Sequence, residues 1–141
     1  MNISFISVFP PYRGGISTHS LLILNELKNN NSVQAINFIK LYPSMFFPGK
    51  SQYSDGKEII GERILDSTNP LKWKKVVSRI KENKSQLVIF KFWHPFFIPC
   101  YNYIIKKIKK DSKVKIAMIF DNIFPHEPFP FSKTLLKKLL V

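Results

Sequence analysis

The chain has 141 residues and is 45% hydrophobic, which predicts one globular domain with a substantial core and excludes a disordered chain. Its 22 lysines and arginines against nine acidic residues give a net charge of +13, but only three are arginines, which weakens the case for specific nucleic-acid recognition. The single cysteine, Cys100, excludes an internal disulfide and a cysteine-cluster metal site, and the start of the chain lacks a secretory signal, which predicts a cytoplasmic location.

The first predicted unit is a strand, a glycine turn and a helix. Residues 2–8 read as a strand, residues 9–15 cannot continue it, and residues 16–29 have helical spacing of apolar side chains. The paired glycines Gly14 and Gly15 place free backbone N–H groups at the start of the helix, which carries roughly +0.5 of a charge and suits a phosphate. The alternative is that the glycines only make a tight turn.

Strands and helices continue to alternate along the chain. Further strands are predicted over residues 32–39, 62–65, 87–92 and 113–120, and further helices over residues 71–83, 97–110 and from 132 onward. The connection over residues 41–69 is long for a compact domain, and such loops are usually functional or mobile. This order predicts an α/β fold: a Rossmann-like parallel sheet with helices on both faces. Residues 87–105 are interrupted by Lys91 and by prolines, which favours a strand, a turn and a helix over a membrane span.

The sequence partly matches several catalytic and nucleotide-binding motifs but completes none of them. Residues 48–51 end like a P-loop, but Ser44 stands where its first glycine is needed and no helix follows. The dinucleotide-binding pattern lacks its glycine spacing, and Lys40 stands where its acidic residue is expected. No metal-ligand set and no Ser/His/Asp or Cys/His arrangement is supported by the spacing.

The three histidines all follow predicted strand ends. His19 lies one helical turn after the glycines, His94 follows the third core strand, and His126 follows the fourth. Ligands of open parallel sheets bind at the carboxyl ends of the strands, so this edge is the predicted site. Each histidine taken singly is more typical of a surface or packing position.

Four segments of the chain resemble family 4 glycosyltransferases, a family with the GT-B fold. They are Pro-Pro-Tyr-Arg-Gly-Gly-Ile at 10–16, Asn-Pro-Leu-Lys-Trp at 69–73, Phe-Lys-Phe-Trp-His-Pro-Phe-Phe-Ile-Pro at 90–99 and Asp-Asn-Ile-Phe-Pro-His-Glu at 121–127. The resemblance implies that residues 1–141 are the N-terminal, acceptor-side half of a GT-B architecture, truncated before its C-terminal donor-binding domain. It implies a retaining transfer in bacterial glycan or glycolipid synthesis, and we expect this chain alone to transfer no sugar.

The resemblance also implies roles for individual residues and the identity of the ligands. The implied catalytic residues are Asp121 and His126, the implied donor-phosphate residues are Gly14 and Gly15, and the implied acceptor residues are Arg13, His19, His94, Asn122 and Glu127. No metal and no cofactor is implied: the donor is a UDP- or GDP-sugar, and the acceptor is a glycan or a lipid-linked molecule. Similar proteins often have histidine where Asp121 stands.

Lysine supplies nearly all of the positive charge. We expect seven lysines to form a basic face that attracts the anionic inner surface of the cell membrane: Lys72, Lys74, Lys75, Lys106, Lys107, Lys109 and Lys110. An AT-rich coding sequence is an alternative cause, because lysine, isoleucine and asparagine are all frequent. Two alternative functions also stay open, a stand-alone non-catalytic α/β binding domain and a basic nucleic-acid-binding protein, although no nucleic-acid partner is expected.

Overall fold

The protein is described by a computed structural model that covers residues 1–43, 52–54, 58–110 and 113–121, together with positions 134 and 137. Its elements are β1 (Asn2–Ile6), α1 (Gly15–Lys28), β2 (Ser32–Lys40), β3 (Glu62–Asp66), α2 (Pro70–Glu82), β4 (Leu87–Phe92), a 3₁₀ turn (Pro95–Phe97), α3 (Ile98–Ile108) and β5 (Lys115–Phe120). The strands form one all-parallel sheet in the order β3-β2-β1-β4-β5. The predicted α/β class and Rossmann-like sheet are confirmed.

Different helices cover the two faces of the sheet. α1 packs on one face, where Leu24 lies against Phe5 and Ile89. α2 and α3 contact each other over a larger core on the opposite face, which includes Phe90 and Ile104. Neighbouring residues of β4 therefore face different helical layers, and a strand covered on both sides reads as a nearly continuous apolar run.

The first strand ends earlier than the sequence predicts, at Ile6 rather than Val8. Beyond it, the buried side chain of Asn37 takes the place of a strand partner. Its Oδ1 accepts from the Phe9 N–H at 3.2 Å, and its Nδ2 donates to the Phe9 carbonyl at 3.1 Å. Because a buried backbone needs partners wherever it runs, these bonds allow the chain to leave the sheet before the glycine turn.

The order of the strands reverses between β1 and β4. The chain builds outward from β1 through β2 to β3, then crosses to β4 and β5 on the other side of β1. A crevice forms at the carboxyl ends of strands where the order reverses, and this is the usual ligand site of open α/β sheets. The loops that follow β1 and β4, and Asp121 immediately after β5, lie at this edge of the sheet.

The segment over residues 87–105 is divided between β4, the 3₁₀ turn and α3. α3 starts at Ile98 and ends at Ile108, whereas the predicted helix extended over 97–110. Pro95 and Pro99 have no N–H to donate, so each is accommodated in the first turn of a helix. Within the described part of the chain, no helix has the length and apolar character needed to cross a membrane.

Two predicted segments include residues that are not described. In the connection between β2 and β3, a described stretch pairs with the loop after β1: Tyr53 forms an antiparallel bridge with Tyr12, and the Arg13 N–H donates to the Gln52 carbonyl at 3.0 Å. Of the helix predicted from residue 132 onward, positions 134 and 137 are helical, and its other residues lie outside the described part.

Candidate functional site

The N-terminus of α1 is left open by its own sequence. Gly14 precedes the helix with a φ of 116°, no side chain caps the helix, and its first turn contains no acidic residue. Apart from its chain neighbours and the backbone of α1 itself, a Cβ added to Gly14 or to Gly15 would meet no atom of the described residues within 4 Å. The first N–H groups of a helix have no partner inside it, so this end presents backbone donors and a partial positive charge to open space.

A buried lysine lies beside this helix end. Lys91 belongs to β4, its side chain is fully buried, and its Nζ lies 2.8 Å from His19 Nδ1 and 2.9 Å from Asp121 Oδ1. His19 comes from α1 and Asp121 follows β5, so one side chain connects three elements at the carboxyl edge. An ammonium group away from water needs an ionic partner, and the Asp121 carboxylate, with its side chain 21% exposed, is that partner.

Small polar residues bring α1 close to the sheet. Ser20 Oγ lies 2.7 Å from Ser7 Oγ and donates to the Ile16 carbonyl at 2.7 Å, so its hydroxyl is used internally. Ser17, two positions after Gly15, is also buried, and its Oγ is the one buried side-chain polar atom without a hydrogen-bond partner in the part of the chain that is described. A buried hydroxyl without a partner is uncommon in a native fold.

His94 has a different position from His19. It precedes the 3₁₀ turn, and its Nδ1 accepts from the Phe96 N–H at 3.1 Å. Its ring makes an edge contact with Tyr42, whose centroid lies 6.0 Å away. The structure therefore gives His94 a capping role and does not bring it into the Lys91 cluster. Its implied acceptor role stays a prediction.

The remaining residues of the predicted site divide into two groups. Arg13 lies at the glycine turn and is exposed. Asn122, His126 and Glu127 lie outside the described residues, so their implied roles remain predictions. Of the predicted site, the structure brings together the glycine turn, His19 and Asp121.

Tyr42, which is partly buried, and Cys100, which is buried, are unsuited to acid–base or nucleophilic work. Burial raises the pKa of Tyr42 to about 12, despite the opposing hydrogen bond that its hydroxyl accepts from Trp93 Nε1 at 3.1 Å. Burial likewise raises the pKa of the Cys100 thiol to about 12, so the reactive thiolate is scarcely populated at neutral pH. Among the described residues, no three His, Cys, Asp or Glu side chains are grouped so that they could hold a metal ion.

Two concavities lie away from the Lys91 cluster. One of about 350 Å³ lies at the carboxyl edge, between the loops after β3 and β4, and Trp73 and Phe96 contribute to its apolar lining. A larger one, of about 560 Å³, lies at the opposite edge and is bordered by lysines at the ends of α2 and α3. Despite its size, it is not the candidate functional site, because the buried ion pair and the uncapped start of α1 both lie at the carboxyl edge.

Lys91 is the central residue that sequence reasoning missed. In the sequence it shows only as a charge that interrupts an apolar run, and this isolation is the available signal. A single lysine in a strand buried on both faces has to find a charged partner or lose its charge. The position of Lys91 one residue before the end of β4 also indicates the carboxyl edge.

Comparisons with known proteins add no family assignment. No protein-family model matches the chain, and no curated protein sequence matches it.

Proposed function

We propose that the chain is the acceptor-side domain of a sugar-nucleotide-dependent, retaining glycosyltransferase of bacterial glycan or glycolipid synthesis. The observation that carries the proposal is the uncapped start of α1, beside the Lys91–His19–Asp121 cluster, where the strand order reverses. The four segments that resemble family 4 glycosyltransferases support it. A C-terminal domain would supply the other side of the cleft, and UDP- or GDP-sugars are the donors that we propose.

The glycine turn is the proposed contact for the donor diphosphate. Gly14 and Gly15 have open space where a side chain would stand, so phosphate oxygens could approach the backbone N–H groups of α1. No acidic side chain occupies the first turn, where it would neutralise the helix end. The neighbouring Lys91–Asp121 pair contains one ammonium and one carboxylate, so it adds no net charge to the attraction at the helix end.

A titration followed by NMR tests this proposal. We expect UDP and GDP, added to ¹⁵N-labelled residues 1–141, to shift the backbone amide signals of Gly14, Gly15 and Ser17, and uridine to shift them much less because it lacks phosphate. Gly15→Val should weaken UDP binding by about tenfold or more, because its side chain would occupy the space in front of the N–H groups. The matched control is Leu71→Val, an exposed position in the first turn of α2.

The outcomes separate the proposal from its alternatives. Shifts that are absent from α1, or that appear only beside the lysines of the opposite edge, would refute the diphosphate site. Equal UDP affinity of Gly15→Val and the parent chain, with unchanged circular dichroism, would show that the glycines serve only the turn. Sugar transfer by purified residues 1–141 without a partner chain would refute the acceptor-side assignment, because such a site needs groups fixed on both sides of the reacting bond.

We also propose that the layer formed by α2 and α3 contacts an anionic membrane surface, which would place the protein on the inner face of the cell membrane. The two helices pack together on one face of the sheet. Six of the seven predicted lysines are exposed: Lys74, Lys75, Lys106, Lys107, Lys109 and Lys110. Each lysine near an anionic surface contributes about 1 kcal/mol to the attraction.

Co-sedimentation with vesicles tests the membrane contact. Binding to vesicles with anionic lipid should fall sharply from low to physiological salt, where the screening length is about 8 Å. The double variant Lys106→Glu/Lys109→Glu should bind less than the control Lys28→Glu, which changes an exposed lysine at the end of α1. Equal binding to neutral and anionic vesicles, or binding to neither, would favour coding bias as the origin of the charge.

The arginines offer little support for a nucleic-acid partner. Arg79 pairs with Glu62 and Glu82, at 2.9 and 2.8 Å. Arg63 donates to the Phe38 carbonyl at 3.1 Å and to the Tyr53 hydroxyl at 2.7 Å. Two of the three guanidinium groups are therefore engaged within the fold, and reading bases would require breaking these contacts.

A further inference from the structure

Lys91 makes contacts that define the hydrogen-bonding state of His19. Its Nζ is buried and lies 2.8 Å from His19 Nδ1, which is hydrogen-bonding distance. The same Nζ lies 2.9 Å from Asp121 Oδ1. The direct separation of His19 Nδ1 and Asp121 Oδ1 is 3.7 Å, which is too long for a hydrogen bond, so the ammonium links the two side chains.

The chemistry of the two groups determines which atom donates. A lysine ammonium has three N–H donors and no acceptor. His19 Nδ1 must therefore present its lone pair to Lys91, and the proton of the neutral ring is then on Nε2. The His19 side chain is 55% exposed, so the ring reaches solvent at the edge where α1 begins.

We infer that Lys91 is a positioning residue that holds His19 in the Nε2–H tautomer, so that His19 acts as a hydrogen-bond donor to a phosphate oxygen of the ligand. This inference rests on the proposed function for the identity of the ligand, and on the Lys91 contacts for the tautomer. A ring whose Nδ1 is used by lysine and whose Nε2 carries the proton has no lone pair for a metal ion or for a proton from the substrate. His19 therefore serves neither as a general base nor as a metal ligand.

Asp121 has a second role in this arrangement. Its Oδ1 holds the Lys91 ammonium at 2.9 Å, which keeps the buried charge in place beside His19. If the lysine were removed, the Asp121 carboxylate, 3.7 Å away in the present geometry, would be available to accept a hydrogen bond from a protonated Nδ1. Lys91 thus favours the Nε2–H tautomer of His19, and Asp121 favours the Nδ1–H tautomer. The contact with Lys91 is the shorter one, so it determines the tautomer.

The side-chain NMR spectrum of the full chain tests the tautomer without any ligand. In histidine-labelled protein at pH 8, where a free imidazole is neutral, we expect His19 to show the Nε2–H pattern. His19→Gln assigns its signals. Lys91→Met, whose unbranched side chain is one atom shorter and has no donors, should shift the ring towards the Nδ1–H tautomer. The control Lys28→Met, at the other end of α1, should leave the pattern unchanged.

Each result of the spectrum decides the inference. An Nδ1–H tautomer in the parent chain, or a pattern that Lys91→Met leaves unchanged, would overturn it. If Lys91→Met does not fold, the parent spectrum and that of Asp121→Asn still decide. Asp121→Asn retains Lys91 and keeps an amide oxygen that accepts a hydrogen bond from its Nζ, so it should retain the Nε2–H pattern, and a switch of tautomer there would show that the Asp121 carboxylate is needed to control the ring.

Binding of UDP tests the donor role and separates this inference from the proposed function. His19→Ala and Lys91→Met should each weaken UDP binding about tenfold, and the double variant should be no weaker than either one, because both remove the same hydrogen bond. Additive losses would overturn the positioning role. Inorganic phosphate, used as a second probe, should compete with UDP if the shared contact is the phosphate. If UDP does not bind at all, the proposed function and the donor role both fail, whereas the wrong tautomer with intact UDP binding refutes only the role of Lys91.

Discussion

Two helices begin at the same edge of the sheet, and each has an aspartate–lysine pair beside its first turn. At α2, the buried partner is the carboxylate: the Asp66 side chain is 9% exposed, and Lys72, 3.5 Å away, is 44% exposed. At α1, the buried partner is the ammonium of Lys91, and Asp121 is the partly exposed one. The sign of the buried charge is opposite at the two helix ends.

The helix ends also differ in how their backbone donors are used. At α2, Asn69 Oδ1 accepts from the Leu71 N–H at 3.1 Å, and Asp66 Oδ1 accepts from the Thr68 N–H at 3.0 Å and from its hydroxyl at 2.7 Å. At α1, Gly14 provides no side-chain acceptor. Side chains of its own loop therefore accept hydrogen bonds at the start of α2. The first N–H groups of α1 have no such side-chain acceptor among the described residues and can bind an acceptor from outside.

The largest expected effect comes from removing the exposed partner at each helix end. Asp121→Ala leaves the buried Lys91 ammonium without its carboxylate, which we expect to lower the free energy of unfolding by about 3 kcal/mol. Lys72→Ala removes an exposed lysine from a carboxylate that keeps its other hydrogen bonds, so we expect a loss below about 1 kcal/mol. Urea unfolding of both variants measures the difference. Similar losses would mean that the two pairs are energetically equivalent.

The two glycines of the turn should respond differently to the same substitution. Gly14 has a φ of 116°, which alanine rarely adopts, so Gly14→Ala should destabilise the fold by about 2 kcal/mol. Gly15 has no such backbone requirement and open space around it, so Gly15→Ala should keep or slightly raise the stability. Thermal unfolding of the two variants compares them. If both variants lose the same stability, both positions require glycine for the fold. The open space at Gly15 would then be no evidence for a ligand.

Removal of the cap at α2 gives a smaller effect. Asn69→Ala deletes the side-chain acceptor of the Leu71 N–H, which we expect to cost about 1 kcal/mol of stability. Asn69→Asp restores an acceptor and should recover most of that loss. Chemical denaturation of the three chains tests this. If Asn69→Ala leaves the stability unchanged, water satisfies the first N–H groups of α2 as well as Asn69 does. The capped start of α2 and the uncapped start of α1 would then be energetically equivalent.

The smallest effect is a pH dependence at Asp66. Burial by itself raises the pKa of this carboxyl, but its hydrogen bonds with Thr68 and its interaction with Lys72 outweigh burial and lower the pKa below its usual range. A lowered pKa in the folded state stabilises the fold above the unfolded pKa of about 3.9, and this contribution is lost as the pH falls through the folded value. Between pH 5 and pH 2, the parent chain should therefore lose more stability than Asp66→Asn. Parallel curves for the two chains would contradict the ionic contrast between the helix ends.

The elements of the sheet were predictable because each has a local signal. The apolar runs of β1 and β4 and the alternation in β2 predicted strands close to those observed, and even the short β3 was found. The boundaries that moved depend on distant partners. β1 ended early because Asn37, from the neighbouring strand, binds the backbone of Phe9.

The candidate site was predictable in position but not in chemistry. Strand ends and the glycine turn pointed to the carboxyl edge, and His19 and Asp121 were named there. Their link was not foreseen, because Lys91 is 72 residues from His19 and 30 residues from Asp121 along the chain. His19 and His94 both follow strand ends in the sequence, so spacing does not distinguish them. In the structure, His19 contacts Lys91, whereas His94 caps the turn after β4.

The sequence by itself determined the α/β class, the order of the elements, the glycine turn before α1 and the excess of lysine, because these follow from periodicity, composition and backbone preferences that neighbouring residues share. Only the tertiary structure decided that Lys91 is fully buried, that its ammonium lies between His19 and Asp121, and that α1 is uncapped while α2 is closed. The physical reason is that the state of a charged group depends on its solvent exposure and on partners within a few ångströms, which the packing of three separate elements against one another supplies.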